Sequence, residues 1–277
     1  MMKKTVVVAM MLMFAIVISA CGSNETGSQP PATDGGESSI ALVEDGKLTW
    51  ACSGLYKPFN YSEGGELKGF DVEIGYALAE KMGLEPNPVT TPWETILQGL
   101  KGKKFDAIIG SMAITNERAE QVNFTEPYYY SGGTIFISAN NEQIQSSEDL
   151  KDKVIGVVAQ STYDDAAKKF TENIKYYNSD VTALNDLTVK GRIDAVITSP
   201  VVGYEAQKAG LEIKEAGEPL WIEQIGIAVH KDNEKLLEEL NQALAEIKED
   251  GTYDEISNGL FGTNLLDVDL EGVEVLE

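Results

Sequence analysis

Apolar residues recur along the chain with two periods, one typical of amphipathic helices and one of short buried strands. Helical spacing is clear in FDVEIGYALAEKMG at 70–83 and in NEKLLEELNQALAEIKEDG at 233–251. Buried strands are predicted for FDAIIG at 105–110, KVIGVVA at 153–159 and IDAVIT at 193–198. Strands that alternate with helices predict an α/β fold with mostly parallel sheets covered by helices on both faces.

Two stretches far apart in the chain resemble each other. GKKFDAIIGS at 102–111 and KGRIDAVITS at 190–199 both place a basic stretch before a buried strand and a serine after it. The number of elements also exceeds what one small sheet accommodates. The repeat therefore predicts two similar α/β lobes rather than a single sheet.

The N-terminal segment has the pattern of a cleaved signal. Lys3 and Lys4 precede an apolar run that ends in small residues before Cys21, and this run is too short to span a bilayer comfortably. We expect residues 1–20 to be a signal peptide and Cys21 to be a lipidation site, as the Ile-Ser-Ala-Cys ending resembles a bacterial lipobox. Residues 21–44 are rich in Gly, Ser, Pro and Thr, which is typical of a flexible tether.

Composition excludes several classes of partner and chemistry. The chain has 22 basic and 45 acidic residues, a formal net charge of −23, which argues against binding nucleic acid or anionic headgroups. Lipidation of Cys21 would leave Cys52 as the only thiol, so no intramolecular disulfide is expected. One histidine and one free cysteine are too few ligands for a zinc or copper site. We therefore predict neither a metal site nor a cofactor.

Small polar residues follow the predicted strands in both halves of the chain. Ligands of open α/β sheets bind beyond the carboxyl ends of the strands, where loops and helix N-termini converge. A nearby arginine would bind a carboxylate with both arms of its guanidinium. The pattern predicts a cleft for a small carboxylate, formed by Ser53, Ser111, Ser161, Thr162, Ser199 and Arg118.

Longer motifs resemble the polar amino-acid type, family 3, of bacterial extracellular solute-binding lipoproteins. The resemblance is carried by YKPFNY at 56–61, GELKGFDVEIGYALAEKMG at 65–83, the block WETILQGLKGKKFDAIIGSMAITNERAEQVNFTEPYY at 93–129, GRIDAVIT at 191–198 and EDGTYDEIS at 249–257. It implies the two-lobed periplasmic-binding-protein fold with two hinge segments. Lobe 1 would comprise residues 45–131 and 226–277, and lobe 2 residues 132–225.

The same resemblance implies a function and residue roles. The protein would trap an amino acid or a related carboxylate by closing its lobes, and would deliver it to the permease of an ABC importer. Arg118 would hold the α-carboxylate together with the backbone of Ser161 and Thr162, and Tyr56 and Trp93 would sandwich the ligand side chain. We expect a monomer without catalytic activity, attached to the outer face of the cell membrane through its lipid alone.

Four positions depart from the family pattern, and one of them is Gln160, where the family usually has a glycine before Ser161. The carboxylate that usually holds the α-ammonium group is replaced by Ser199, a hydroxyl partner by Ala113, and an acid that serves cationic side chains by Ser53. No matched cleft position is then acidic, which predicts a neutral ligand and weak binding of lysine or arginine. Whether an acid elsewhere reaches the cleft stays open at this point; the candidates are Glu126, Asp164 and Glu223.

Two other functions compete with transport. A sensor lipoprotein would bind a ligand in the same way without feeding a transporter. An enzyme related to prephenate or arogenate dehydratases would share the fold, but it needs a placed acid or base in the cleft. Because the matched positions have lost their carboxylates, the sequence favours binding over catalysis.

Overall fold

The computed structural model of the protein describes residues 40–268 and 275–276. The helices in these residues are α1 (Phe70–Lys81), α2 (Trp93–Lys101), α3 (Asn116–Gln121), α4 (Thr162–Phe170), α5 (Asp180–Leu187), α6 (Pro200–Lys208), α7 (Glu234–Glu249) and α8 (Thr252–Phe261), with a 3-10 helix at Ser147–Leu150. The strands are β1 (Lys47–Cys52), β2 (Leu55–Tyr56), β3 (Asn60–Glu63), β4 (Glu66–Lys68), β5 (Glu85–Thr90), β6 (Ala107–Ala113), β7 (Asn123–Phe124), β8 (Tyr129–Ser138), β9 (Ile155–Val158), β10 (Ile174–Tyr177), β11 (Ala195–Thr198), β12 (Ile213–Glu215) and β13 (Trp221–Val229).

The sheets confirm the predicted two-lobed α/β architecture. In the first lobe β5, β1 and β6 pair in parallel, and in the second lobe β10, β9 and β11 do the same. Between them lie β8 and β13, which pair with each other antiparallel and extend into both lobes. These two long strands are the hinge segments. The lobe boundaries predicted from the sequence fall inside β8 and near the middle of β13, and they stay a prediction.

Apolar helix faces cover the sheets and explain why the helices form where the sequence predicts them. In α7, Leu236, Leu240 and Leu244 recur every four residues and are fully or almost fully buried. They pack in the same core as Leu48 and Trp50 of β1. Burial of each such side chain stabilises the fold by about 1.5–3 kcal/mol.

Strand β5 was not predicted, because its sequence EPNPVT contains two prolines and no apolar alternation. Among the residues that the structure describes, it forms the edge of the sheet and pairs with β1 alone. The amide of Glu85 donates to the carbonyl of Gly46, and the amide of Thr91 donates to the carbonyl of Cys52. The odd-numbered positions of β5 therefore face β1. Pro86 and Pro88 therefore direct their missing N–H groups outward, where an edge strand tolerates them.

The N-terminal predictions lie largely outside the described residues. This applies to the signal peptide, to Cys21 and to most of the tether, of which only residues 40–44 are described. Within the part of the chain that the structure describes, no helix has the length and apolar character needed to cross a bilayer.

Candidate functional site

A cleft lies between the two lobes. Lobe 1 contributes the ends of β1 and β6, the start of α2 and a residue of α3, while lobe 2 contributes the first turns of α4 and α5. The lining residues are Ser53, Leu55, Tyr56, Trp93, Gly110, Ser111, Ala113, Arg118, Val158, Ser161, Thr162, Tyr163, Asn178, Ser179, Asp180 and Glu223. Eight of the nine residues predicted for ligand binding are in this set, although their contact with a ligand stays a prediction.

Arg118 is held in the cleft by backbone carbonyl groups. Its Nη1 donates to the carbonyl of Ala113 over 2.9 Å, and its Nη2 donates to the carbonyl of Gln160, on the opposite lobe, over 3.2 Å. The guanidinium carbon lies 5.7 Å from the ring centroid of Trp93, which adds a cation–π contact. Burial lowers the pKa of Arg118, but an arginine side chain stays charged at neutral pH. A fixed cation with only neutral acceptors as hydrogen-bond partners is suited to bind an anion.

Opposite Arg118, the first turn of α4 opens toward the cleft. The Ser161 side chain caps this helix by accepting from the amide of Asp164 over 3.1 Å, and it donates to the carbonyl of Val158 over 2.7 Å. The Thr162 hydroxyl donates to Glu223 over 2.8 Å. Since both hydroxyls are occupied within the protein, the backbone N–H groups and the helix dipole are what this turn offers an anion.

A buried network supports the serines of lobe 1. Ser111 Oγ donates to Asp71 Oδ2 over 2.7 Å, and Ser53 Oγ donates to Asn60 Oδ1 over 2.9 Å. Asn60 Nδ2 in turn donates to Asp71 Oδ2 over 2.6 Å, and Tyr128 Oη donates to Asp71 Oδ1 over 2.6 Å. Asp71 thus joins the two serines from a position with no solvent exposure. No motif or spacing in the sequence singles out Asp71.

Ser111 lies inside β6 rather than after it, and its backbone is unusual. Its φ angle of 60° is in the left-handed region, which costs a non-glycine residue about 1–2 kcal/mol. The Ser111 amide donates to Tyr128 Oη over 3.1 Å while its hydroxyl donates to Asp71. These two bonds hold the conformation and direct the end of β6 toward the cleft.

Two aromatic side chains close part of the cleft. Tyr56 stacks on Phe59 with ring centroids 5.3 Å apart, and its hydroxyl lies 3.1 Å from that of Tyr163 on the other lobe. Trp93 Nε1 reaches the carbonyl of Gln160 over 3.4 Å. Both residues predicted to sandwich the ligand side chain therefore also make contacts across the cleft.

The question that the sequence left open, whether an acid reaches the cleft, is answered by two buried residues. Glu223 of β13 lines it with 2% exposure, and Asp180, the first residue of α5, lines it with 5% exposure. Neither is one of the positions matched to the family pattern, from which a neutral ligand was predicted. The prediction of a neutral ligand therefore loses its premise.

The two acids have different surroundings. Glu223 accepts from Thr162 Oγ1, from Tyr163 Oη over 3.1 Å and from Trp221 Nε1 over 3.3 Å. Burial raises the pKa of Glu223, while these donors and Arg118 oppose the rise. Asp180 accepts from the hydroxyl of Thr198 over 2.7 Å. Burial raises the pKa of Asp180 to about 6, and the nearby charge of Glu223 adds to the rise.

The remaining candidates lie elsewhere. Ser199 does not line the cleft: it has no solvent exposure, and its hydroxyl accepts from Ser131 Oγ over 3.1 Å. Glu126 is exposed on the surface. Asp164 is buried but accepts from the amide of Gln160 over 3.0 Å and pairs with Lys168 on its own helix over 2.9 Å. Of the three acids that the sequence left open, Glu223 is the one that reaches the cleft.

The fold and the cleft together define a class of protein. Two lobes linked by two strands, with a fixed cation facing a helix N-terminus and acids nearby, are suited to enclose a small zwitterion. Residues 48–263 match the sequence profile of the bacterial extracellular solute-binding proteins, family 3. The chain belongs to this family, as its motifs predicted.

Individual relatives agree with this membership. The chain is 33% identical over 273 residues to the probable amino-acid-binding protein YxeM of Bacillus subtilis, covering 95% of this chain and 97% of YxeM. It is 35% identical over 223 residues to the ABC transporter arginine-binding protein 1 of Escherichia coli, covering 78% and 90% respectively. A solved structure of an ancestral amino acid-binding protein, a precursor of cyclohexadienyl dehydratase, superposes with a TM-score of 0.72 at 33% identity, covering 78% of this chain and 96% of that one.

Proposed function

We propose that the protein captures an amino acid between its lobes and delivers it to an ABC importer. The observation that carries this proposal is the position of Arg118, whose guanidinium lies in the cleft and reaches the carbonyl of Gln160 beside the first turn of α4. A carboxylate placed there would replace a neutral acceptor on Arg118 with an ionised one, which roughly doubles the strength of a hydrogen bond. The same carboxylate would meet the N–H groups of α4.

Bridging of the two lobes by one ligand would couple binding to closure. Arg118 belongs to lobe 1 and the first turn of α4 to lobe 2, so a carboxylate bound by both favours the closed form over the open one. A permease that recognises the closed form would then select loaded protein. A relative whose name assigns it to an ABC transporter supports this delivery step.

We also propose that Cys21 carries a lipid that holds the protein at the outer face of the cell membrane. The charged start, apolar run and small residues before Cys21 support this. Substitution Cys21→Ser should release the protein into the medium or leave an uncleaved precursor. Normal membrane retention of the variant with normal processing would contradict the anchor without affecting the binding function.

A thermal-shift screen of the purified protein against the L-amino acids, cystine, imino acids and betaines tests the binding function. A ligand present at 100 times its dissociation constant should raise the free energy of unfolding by about 2.7 kcal/mol. If no amino acid stabilises the protein, the proposal fails. Deletion of the gene should then abolish uptake of the best ligand; uptake that persists would favour the sensor function instead.

A dehydratase on the same fold is the second candidate, because acids do line the cleft. A dehydratase must donate a proton to a leaving hydroxyl group. The three hydrogen bonds that Glu223 accepts oppose proton donation, although burial raises the pKa of this group. We therefore expect no phenylpyruvate or phenylalanine after incubation with prephenate or arogenate; turnover of either compound would make the protein an enzyme.

A further inference from the structure

The carboxylate of Asp180 has a role that its place in the sequence does not reveal. We propose that Asp180 binds the ammonium group of the bound amino acid, opposite the carboxylate site at Arg118. This inference deepens the proposed function and rests on it. It makes the ligand a zwitterionic α-amino acid rather than a simple carboxylic acid.

The Asp180 carboxylate has one side-chain donor and a hydrogen bond from its own backbone amide. Oδ1 accepts from Thr198 Oγ1 over 2.7 Å. Within residues 40–268 and 275–276, no lysine or arginine is among the groups that shift the pKa of this carboxylate. Yet the side chain is 95% buried and lines the cleft. A buried carboxylate without a cationic partner is unfavourable, and a cation that enters the cleft would relieve this cost.

Glu223 is the less suitable of the two acids for this role. Its oxygens already accept from Thr162, Tyr163 and Trp221, so its charge is stabilised within the protein. Asp180 has a single side-chain donor. Burial raises the pKa of Asp180 to about 6, so the group is still mostly ionised at pH 7 and is open to a cationic partner.

A purely structural role would explain less. An acid in the first turn of a helix is favoured by the helix dipole, and Asp180 begins α5. That effect does not require burial in a cleft. The side chain of Ser179 also already caps α5 by accepting from the amide of Thr182 over 3.2 Å. The test must therefore separate recognition of an ammonium group from support of the helix.

Matched ligands with and without the amine make this separation. The probes are L-arginine, L-glutamine and the amino acid ranked first by the thermal screen, each paired with its desamino acid, which for arginine is 5-guanidinopentanoate and for glutamine is glutaramate. Calorimetry with the wild type should show each amino acid binding about 100-fold or more tightly than its desamino partner.

Asp180→Asn keeps the shape and an acceptor for Thr198 but removes the charge. Amino acids should lose about 100-fold in affinity, while the desamino acids should bind as they do to the wild type. Asp254→Asn is the matched control, because Asp254 lies in the first turn of α8, is exposed and also accepts one side-chain bond. Asp254→Asn should change neither the affinity for amino acids nor the affinity for desamino acids.

A second variant protects the test against misfolding of the first. Thr198→Val removes the donor to Asp180 at nearly constant shape, so a carboxylate that orients an ammonium group should lose about 5- to 10-fold in amino-acid affinity. Desamino acids should again be unaffected. Wild-type affinity for the desamino acids would also indicate that the cleft is still folded in both variants.

Each outcome bears on a different statement. An Asp180→Asn protein that discriminates amino acids from desamino acids as well as the wild type would overturn the inference and leave the binding function standing. Loss of arginine binding alone, with glutamine unaffected, would assign the carboxylate to a side-chain cation and overturn the ammonium assignment. A wild type that binds no amino acid would refute the proposed function itself.

Discussion

The carboxylate of Asp71 should make the protein less stable as the pH rises from acid to neutral. This side chain is fully buried and has three donors but no cation among its partners: Asn60, Ser111 and Tyr128. Burial raises its pKa to about 6 from the ordinary 3.8, although the three donors oppose the rise. Because the folded state holds this proton more tightly than the unfolded state, the stabilisation is present below pH 3.8 and is lost as the pH rises through 6.

The magnitude follows from the size of the shift. A difference of about two pKa units corresponds to about 3 kcal/mol in the free energy of unfolding. About 2 kcal/mol of this change falls between pH 4.5 and 7.5. Asp71→Asn removes the titration, but it places an amide against Asn60 Nδ2 and leaves a buried donor unmatched, which costs about 1–3 kcal/mol. The variant should therefore be clearly less stable than the wild type at pH 4.5 and closer to it at pH 7.5.

Urea denaturation of the ligand-free protein at several pH values between 4.5 and 7.5 measures this directly. The quantity to compare is the difference in unfolding free energy between wild type and Asp71→Asn, since titrations shared by both proteins cancel. Asp254→Asn, on the surface, should follow the wild type. The paired carboxylates of Asp186 and Asp250 have lowered pKa values and act on stability at lower pH. Parallel curves for wild type and Asp71→Asn would refute the reasoning.

Three further predictions follow from the cleft and the core. Arg118→Ala should weaken amino-acid binding by about 100-fold or more, and Arg118→Lys should retain only part of the wild-type affinity, whereas the exposed Arg192→Ala should bind normally. Near-native affinity of Arg118→Ala in calorimetry would contradict this. L-glutamate should bind about tenfold or more weakly than the isosteric L-glutamine, because it adds an anion to a cleft with two acids; equal affinities would contradict this. Gly203→Ala should cost about 1–3 kcal/mol in urea denaturation, since an added Cβ would overlap the ring of Phe136, and an unchanged midpoint would contradict this.

Much of the fold was predictable because its strands and helices have strong local patterns. The long helix α7 and the central strands follow from periodicity, and the presence of two lobes follows from the repeat of a basic stretch, a strand and a serine. Strand β5 could not be predicted, because its two prolines argue against a strand unless it is known to lie at an edge. Edge position depends on the order of strands in the finished sheet, and no local pattern encodes that order.

The cleft was predicted unevenly for a related reason. Residues at strand ends and in the TNER segment, such as Ser53 and Arg118, were found because parallel strands end at the same edge of the sheet. Asp180 lies at a helix start shortly after β10, as Ser161 does after its own strand, so the same rule would have found it. It was missed because comparison with the family directed attention to position 199. Asp71 acts through a serine 40 residues away, and only the tertiary structure brings the two together.

If Asp180 binds the ammonium group, the cleft has an acid beside position 199 although position 199 itself is a serine. Thr198 ends β11, and its hydroxyl touches the carboxylate of Asp180, so this acid lies beside the strand end at which the family usually has its own. A carboxylate supplied from α5 thus occupies the neighbourhood that Ser199 no longer serves. What the binding of a zwitterion requires is a negative charge at a place in space, and either element is able to supply it. A comparison restricted to aligned positions therefore misses an acid that a neighbouring element places beside the same strand end.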